Sequence, residues 1–334
     1  MQKNIFIHIG CGKTGSSALQ VWISQNAEAL SAAGINYVLN NERLEDYAIS
    51  SGNGTPLIKA IKKRRLPKFL KPLLEDDAIL FSSEMFQLLT EEEVCYLRDE
   101  LDTLGVTAHI IAYIRDVYDI MYSSYLQRVK RRQATETFAE FALEQTTHLQ
   151  FDAIRRWSAT FETIDVIHYD THKQALEQAF LNALELSEAG VPPMHKKKVN
   201  RSLTLMELEL LRAVNTNYLA SGKHVNGQIS SLISNALIDK RPELKTPIYM
   251  DKSVLDHLER SFRSDVTWVN QTFFEGRENL RIFTPEGKHI ENDLPDIDPT
   301  FFDILETLMN LVERYTFEHS EKPSLSQRLK RVFR

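Results

Sequence analysis

The apolar positions of the first two hundred residues alternate between two patterns. Apolar runs of strand length occupy residues 4–10, 35–39, 77–82, 106–114 and 163–169. Between these runs, apolar residues recur three or four positions apart, as they do on one face of a helix. Short strands that alternate with amphipathic helices favour a parallel sheet covered on both faces. The pattern therefore predicts an α/β fold: a three-layer, P-loop-like parallel sheet flanked by helices.

Beyond about residue 200, helical spacing dominates and strand patterns are weak. It recurs at Leu205, Leu208 and Leu211, at Val254, Leu258 and Phe262, and at Phe301, Ile304 and Leu308. We predict one domain over residues 1–334, with an α/β core at 1–200, a helical extension at 201–320 and a basic tail at 321–334. The irregular stretch 40–72 is interpreted either as a substrate-facing insertion or as a solvated loop with one helix.

Composition limits the function classes. The chain has 334 residues, of which 43% are hydrophobic and 26% charged, as in ordinary globular proteins. A net charge of -6 argues against a chain-wide nucleic-acid surface. Two cysteines, Cys11 and Cys95, are too few for a disulfide framework and lie in no CxxC metal motif. Without an 18-residue apolar run or a signal-peptide core, we expect a cytoplasmic protein with no stable membrane insertion.

The most informative segment is residues 10–17, GCGKTGSS, between the first strand and the first helix. Glycines let a backbone approach an anion closely, and a helix N-terminus offers free amides and a positive dipole end. Lys13 adds a full charge, and the hydroxyls of Thr14, Ser16 and Ser17 add donors. The segment predicts a cradle for phosphate or sulfate, the alternative being a tight structural turn.

The loop departs from two common nucleotide motifs. A Walker loop has a glycine five residues before its Gly-Lys pair, whereas Ile7 stands five residues before Gly12 here. A dinucleotide fingerprint would also need an acidic residue at a matching strand end. A small-molecule kinase using ATP and Mg²⁺ remains an alternative.

A second candidate site follows the strand at 106–114. Arg115 stands at the carboxyl end of that strand, where open α/β sheets bind ligands. Ser123 follows eight residues later, within the next predicted helix. A planar guanidinium and a hydroxyl can bind one phosphate together. The alternative is a strand-end arginine paired with an acidic neighbour.

Together these two segments resemble the sulfotransferases that use 3′-phosphoadenosine 5′-phosphosulfate (PAPS), and the loop is most similar to the bacterial, carbohydrate-type branch. The resemblance covers about residues 5–202. It implies that the loop holds the 5′-phosphosulfate through Gly12, Lys13, Thr14, Gly15, Ser16 and Ser17. It also implies that Arg115 and Ser123 hold the 3′-phosphate. Val117 departs from the family, many of whose members have proline there.

The resemblance also implies catalytic roles. Glu84 closes a Ser-Ser-Glu motif after the strand at 77–82 and would be the catalytic base, with Lys13 stabilising the leaving group. His8, just before the loop, is a rival base. Tyr169 and Asp170 stand in the place of the family's Tyr-Glu pair. Arg201 lies in a segment, 198–203, that resembles one closing over the 3′-phosphate.

The implied reaction is sulfuryl transfer from PAPS to an acceptor hydroxyl of a glycan or glycolipid, releasing 3′-phosphoadenosine 5′-phosphate (PAP). It needs no metal, and no nucleic-acid partner is expected. The sequence makes no prediction of an oligomeric state. The alternatives are the kinase named above and a non-catalytic nucleotide-binding protein of the same fold.

Overall fold

The computed structural model describes residues 3–38, 52–74, 78–187, 190–194, 201–220, 228–244, 246–277 and 279–295. The chain divides into two compact units. The first contains Met1–Ser123, Phe141–Val199 and Lys252–Thr284. The second contains Ser124–Glu140, Asn200–Asp251 and Pro285–Arg334. This division places residues 252–284 in the first unit, whereas the sequence placed them in the helical extension. The single domain over residues 1–334 stays a prediction.

The first unit is built on a five-stranded sheet. Its strands are β1 (Lys3–His8), β2 (Ile35–Asn36), β3 (Ala78–Ser82), β4 (Val106–Ile114) and β5 (Ile164–His168). The order is β2-β3-β1-β4-β5, and every neighbouring pair is parallel. β1 lies at the centre, with Ile7 opposite Phe81 of β3 and Ile110 of β4. All five predicted strands are present, with β2 shorter than the apolar run suggested.

Helices lie between these strands and also follow the last of them. They are α1 (Ser16–Gln25), α2 (Ala27–Ala32), α3 (Thr55–Lys62), α4 (Leu66–Leu70), a 3₁₀ helix (Glu84–Leu88), α5 (Glu91–Leu104), α6 (Val117–Arg132), α7 (Phe138–Leu143), α8 (Leu149–Thr160), α9 (Tyr169–His172), α10 (Leu176–Ala183), α13 (Lys252–Val269) and a π helix (Asn270–Phe274). α5 begins with a reciprocal capping box between Thr90 and Glu93 and ends at Gly105. Such paired caps satisfy end amides that the helix itself leaves unbonded.

The sheet is covered on both faces. On one face, Leu80 and Tyr113 belong to a buried cluster with Trp22 of α1 and Phe180 of α10. On the other face, β4 packs against α5 and α8. Strands buried on both sides consist of continuous apolar residues rather than alternating ones. The predicted three-layer α/β fold is therefore confirmed.

The second unit contains α11 (Leu205–Ala220) and α12 (Gln228–Lys240) with two short parallel strands, β6 (Ile248–Tyr249) and β7 (Ile290–Glu291). The helical spacing at 205–211 is thus confirmed, whereas the spacing at 254–262 belongs to α13 of the first unit. The predicted helix at 301–308 and the basic tail lie outside the described residues. Among the described helices, none combines the length and apolarity needed to span a membrane.

Candidate functional site

Four segments of the first unit meet at one edge of the sheet. The loop 10–17 follows β1, Glu84 follows β3, Arg115 follows β4, and Tyr169 follows β5. Because all five strands are parallel, their carboxyl ends lie on the same edge. This is the edge at which open α/β sheets bind their ligands.

The loop has an unusual backbone. Lys13 has a φ of 70° and Gly15 a φ of 77°, both in the left-handed region. A Cβ atom on Gly15 would lie 2.8 Å from Cδ2 of Leu176 and 2.9 Å from Cε2 of Tyr169. Glycine is required there for both conformation and space, whereas Lys13 bears backbone strain of the kind that concentrates at functional sites.

The loop's side chains divide into anchoring and open ones. Thr14 is buried and donates its hydroxyl hydrogen bond to the Cys11 carbonyl at 2.5 Å. Ser17 is exposed in the first turn of α1, and the space next to the Gly12 Cα is open. The loop therefore keeps a surface that a ligand can reach.

Glu84 lies directly beside the loop. It is the first residue of the 3₁₀ helix, and its carboxylate accepts a hydrogen bond from the Ser16 hydroxyl. Burial, reinforced by the Glu84 carboxylate, raises the pKa of Cys11 to about 12. Cys11 is consequently held as a neutral thiol and is a poor nucleophile. Glu84 is a carboxylate that combines partial exposure with contact to the loop.

Asn53 supports the strand end that carries Glu84, and the sequence did not predict this role. Its side-chain amide donates to the Leu80 carbonyl at 2.8 Å and accepts from the Ser82 amide at 2.8 Å. These are the two backbone groups of β3 that a neighbouring parallel strand would pair with, one on each side of Phe81. The side chain also donates to the Val38 carbonyl at 3.2 Å. Asn53 therefore continues the ladder of β3 beyond the point where β2 ends.

The backbone on either side of Asn53 completes this support. A Cβ atom on Gly52 would lie 1.9 Å from the Ser82 carbonyl oxygen, and the Gly54 amide donates to that oxygen at 3.1 Å. The Ser83 amide donates to the His8 carbonyl at 3.1 Å on the other side. The sequence feature that could have indicated this role is the Gly-Asn-Gly triplet inside a stretch interpreted as irregular.

His8, the rival base, is enclosed. It is fully buried, its Nδ1 lies 2.8 Å from the Ser82 hydroxyl, and its ring packs edge-on against Tyr113 and Phe180. Burial lowers its pKa from 6.5 to about 3. A neutral, enclosed imidazole fits a structural role better than a base that must reach an acceptor.

Arg115 reaches the loop from the end of β4. Its Nη1 donates to the Lys13 carbonyl at 3.2 Å. Its Nε lies 3.5 Å from Asp170, its Nη2 lies 3.7 Å from Asp119, and the guanidinium sits 5.1 Å from the Tyr169 ring centre. The acidic partners foreseen as an alternative are present, but at long distances. The side chain remains 19% exposed, so a ligand can reach it.

Asp116, next to Arg115, anchors the start of α6. It is fully buried and accepts hydrogen bonds from His168 at 2.9 Å, the Thr284 hydroxyl at 2.5 Å and the Arg281 amide at 3.1 Å. Burial favours a higher pKa, but the hydrogen bonds from His168 and Thr284 outweigh it and hold the pKa of Asp116 below its ordinary value.

Asp116, His168 and Asp170 also bring three potential metal-ligand atoms within 4.8 Å of one another. The sequence did not predict this group because its members come from the ends of two different strands. Both Asp116 oxygens and both His168 ring nitrogens already hydrogen-bond to protein groups, whereas the buried Asp170 Oδ1 has no hydrogen-bond partner among the described residues. Two of the three candidate ligands are therefore engaged without an ion.

The start of α6 explains the departure at Val117. The Val117 amide donates to the Arg281 carbonyl at 3.2 Å, a bond that proline cannot form. Ser123 lies in the second turn of the same helix and is partly exposed. The geometry thus accounts for a valine at this position without altering the predicted ligand groups.

Arg201 belongs to the second unit. All five of its N–H groups are used, by the Glu207 carboxylate and by the backbone carbonyls of Ser202, Leu237 and Arg241. Its contact with a cofactor stays a prediction. Residues 195–200, which complete its predicted segment, lie outside the described residues.

No protein-family model matches this sequence, and no curated protein matches it either. A solved structure with a similar arrangement is that of retinol dehydratase in complex with androsterone and inactive cofactor PAP. It shares 12% identity with this chain at a TM-score of 0.36, and the match covers 79% of this chain and 80% of that one.

Proposed function

We propose that this chain is a sulfotransferase that uses PAPS as donor and an acceptor hydroxyl as the sulfuryl recipient. The observation that carries the proposal is the hydrogen bond between Ser16 and Glu84, which joins a carboxylate base to a glycine loop suited to anions. Arg115 contacts the same loop from the neighbouring strand.

The donor would be held by two groups of residues. Loop amides, including that of Ser16, and the exposed hydroxyl of Ser17 bind the 5′-phosphosulfate, aided by the N-terminal end of α1, while the Ser16 hydroxyl donates to Glu84. Arg115, with Ser123 on α6, binds the 3′-phosphate. Since ATP and ADP lack a 3′-phosphate, this second contact selects PAPS over them.

The chemistry requires positioning and charge stabilisation. Glu84 takes the proton of the acceptor hydroxyl while its oxygen bonds to sulfur, and the bond from sulfur to the bridging phosphate oxygen breaks. The Lys13 ammonium stabilises the negative charge that builds on the departing PAP. By analogy with phosphoryl transfer, the groups lie roughly in line. A positioned base of this kind contributes about 10²–10⁴-fold to the rate.

The acceptor belongs, on the resemblance of the loop, to the carbohydrate class, as a glycan or glycolipid. Its hydroxyl must come within hydrogen-bond distance of Glu84, so the acceptor approaches from the exposed side of the 3₁₀ helix.

Calorimetric titration with PAP and with ADP tests the donor site. We expect PAP to bind without Mg²⁺, ADP to bind at least tenfold more weakly, and Arg115→Ala to weaken PAP about 30-fold or more through loss of a charged contact. Arg155→Ala is the matched control because Arg155 pairs with Asp265 away from the loop. Absence of PAP binding together with Mg²⁺-dependent ADP binding would replace this proposal by the kinase.

Glu84→Gln separates an enzyme from a non-catalytic binding protein. We expect unchanged PAP affinity and a loss of sulfuryl transfer of about 10²–10⁴-fold. Transfer that survives the substitution would remove Glu84 from its role as base.

A further inference from the structure

The residues from Glu84 to Leu89 follow a burial pattern with a period of three. Phe86 and Leu89 are fully buried, Met85 and Leu88 are about half exposed (50% and 49%), and Glu84 and Gln87 are intermediate. A 3₁₀ helix has three residues per turn, so side chains three apart lie on the same side. The helix therefore presents three distinct faces.

Each face has its own surroundings. The buried face packs Phe86 edge-on against Trp157, with ring centres 6.2 Å apart. The second face carries Glu84 to its hydrogen bond with Ser16. The third face holds Met85 and Leu88 side by side in solvent, immediately next to the proposed base.

A lone exposed aliphatic residue is ordinary on a protein surface. Two large ones three residues apart in a 3₁₀ helix lie on the same face, so Met85 and Leu88 form a small apolar patch next to Glu84. The fold does not need this patch for its core, because Phe86 and Leu89 already fill the inward face.

We propose that Met85 and Leu88 form the acceptor subsite and that the acceptor is amphiphilic, with an alkyl chain or apolar aglycone next to the hydroxyl that is sulfated. This inference rests on the proposed function, because it takes Glu84 as the group that the hydroxyl must reach. A hydroxyl within about 3 Å of the Glu84 carboxylate brings the adjoining atoms of the acceptor over the neighbouring Met85.

The chemistry of the patch favours this class over a bare glycan. Sugar hydroxyls laid against methionine and leucine lose water without gaining hydrogen bonds. An alkyl chain gains from the same contact, and the flexible methionine adapts to its shape. Within the carbohydrate class, the patch selects a glycolipid or an apolar glycoside.

Matched glucosides test the subsite. Octyl and methyl β-glucoside, both below micelle-forming concentrations, are titrated into the protein with and without saturating PAP. Removing one methylene from water changes an equilibrium by about fourfold, so we expect the octyl compound to bind at least tenfold more tightly. In the double variant Met85→Gln with Leu88→Gln, the two compounds should bind within about twofold of each other.

The double variant Met206→Gln with Leu232→Gln is the control, because these residues are similarly exposed (48% and 69%) on α11 and α12. It should keep the full octyl preference. Equal binding of both glucosides by the native chain, or a preference that survives in the Met85 and Leu88 variant, overturns the subsite. Sedimentation adds a further outcome. If the native chain is a dimer, and the Met85 and Leu88 variant is a monomer that keeps the octyl preference, the patch contacts a second copy of the chain and is not the acceptor subsite.

Failure of the proposed function is read separately. If PAP does not bind, the sulfotransferase proposal fails, while the glucoside comparison without PAP still decides whether the patch binds apolar chains. If PAP binds and the octyl preference is absent, only the acceptor subsite is lost.

Discussion

Arg115 and Arg201 were both predicted to bind one phosphate of the cofactor, and their surroundings differ sharply. Within the part of the chain that the structure describes, the Arg115 guanidinium forms one hydrogen bond, at 3.2 Å, and lies 3.5 and 3.7 Å from two carboxylates, with 19% of the side chain exposed. Arg201 forms five hydrogen bonds of 2.6–2.9 Å, with 5% of its side chain exposed. The Arg115 guanidinium therefore has donors available for a ligand, whereas all five donors of Arg201 bond to the protein.

We infer from this comparison that available donors, and not the motif alone, distinguish an arginine that can bind a ligand from one that the fold uses. Long ion pairs from Asp119 and Asp170 keep Arg115 near the loop without saturating it, so a phosphate can replace them at modest cost. The Glu207 carboxylate matches the guanidinium fork of Arg201 and takes two of its donors, and three backbone carbonyls take the rest.

The largest expected effect is on the structural arginine. Arg201→Ala should lower the free energy of unfolding by about 3–5 kcal/mol, because it leaves the partly buried Glu207 carboxylate without its charged partner. Urea denaturation followed by circular dichroism measures this loss. Arg277→Ala, which breaks an exposed pair with Glu275, should cost less than about 1 kcal/mol. A similarly small loss for Arg201→Ala would show that Arg201 is not essential to the fold and would favour its predicted role in binding the cofactor.

Lys13 tests the region around Arg115, because it belongs to the loop that Arg115 contacts. Both Lys13→Ala and Lys13→Gly should lower the turnover number by about 10²–10³-fold, as loss of a preorganised charge-stabilising group does. The glycine variant should be about 1 kcal/mol more stable than the alanine variant, because only glycine relieves the left-handed backbone at this position. Equal stabilities in thermal denaturation would show that the loop carries no such strain.

Asn53 tests whether the edge of the sheet needs its side-chain ladder. Asn53→Ala leaves the Leu80 carbonyl and the Ser82 amide without partners and should cost about 2–3 kcal/mol. We also expect a lower turnover number at unchanged PAP affinity, because the Glu84 strand end loosens while the loop does not. Loss of PAP affinity in parallel with turnover would instead indicate collapse of the whole edge. Asn26→Ala, which removes a single bond to the Trp22 carbonyl, is the control.

The strands and the loop were predictable because their signals are local. β4 spans Val106–Ile114 as the apolar run indicated, and residues 10–17 fall between β1 and α1. Parallel topology then follows from alternation, and with it the meeting of the loop, Glu84 and Arg115 at one edge. These steps need no knowledge of individual side-chain contacts.

Contacts between distant segments were not predictable. Asn53 takes the place of a strand partner for β3 and contacts Leu80, which lies 27 residues further along the chain. Its neighbours in sequence are glycine-rich and irregular. Arg201 sits in a basic stretch that resembles a phosphate-binding segment, yet its partners are carbonyls and one glutamate brought in by the fold. Whether a polar group has donors to spare depends on tertiary structure, which a motif does not encode.

His8 gives the smallest effect and the clearest dependence on pH. Its folded-state pKa of about 3 lies below the unfolded value near 6.5, so the unfolded chain binds the extra proton between these values. The stability that the neutral imidazole contributes is complete above pH 6.5 and is lost as pH falls towards 3. For this group alone, the free energy of unfolding should fall by about 2 kcal/mol from pH 7.5 to pH 5.

His8→Gln should remove that share of the pH dependence. The difference in unfolding free energy between native chain and variant should therefore be about 2 kcal/mol smaller at pH 5 than at pH 7.5. Asn26→Ala, which removes no titratable group, should leave the pH dependence as it is. Denaturant titrations at several pH values measure both. If the rate of sulfuryl transfer, rather than stability, followed the titration of His8, the enclosed imidazole would be reaching the acceptor after all, and Glu84 would give up its place as base.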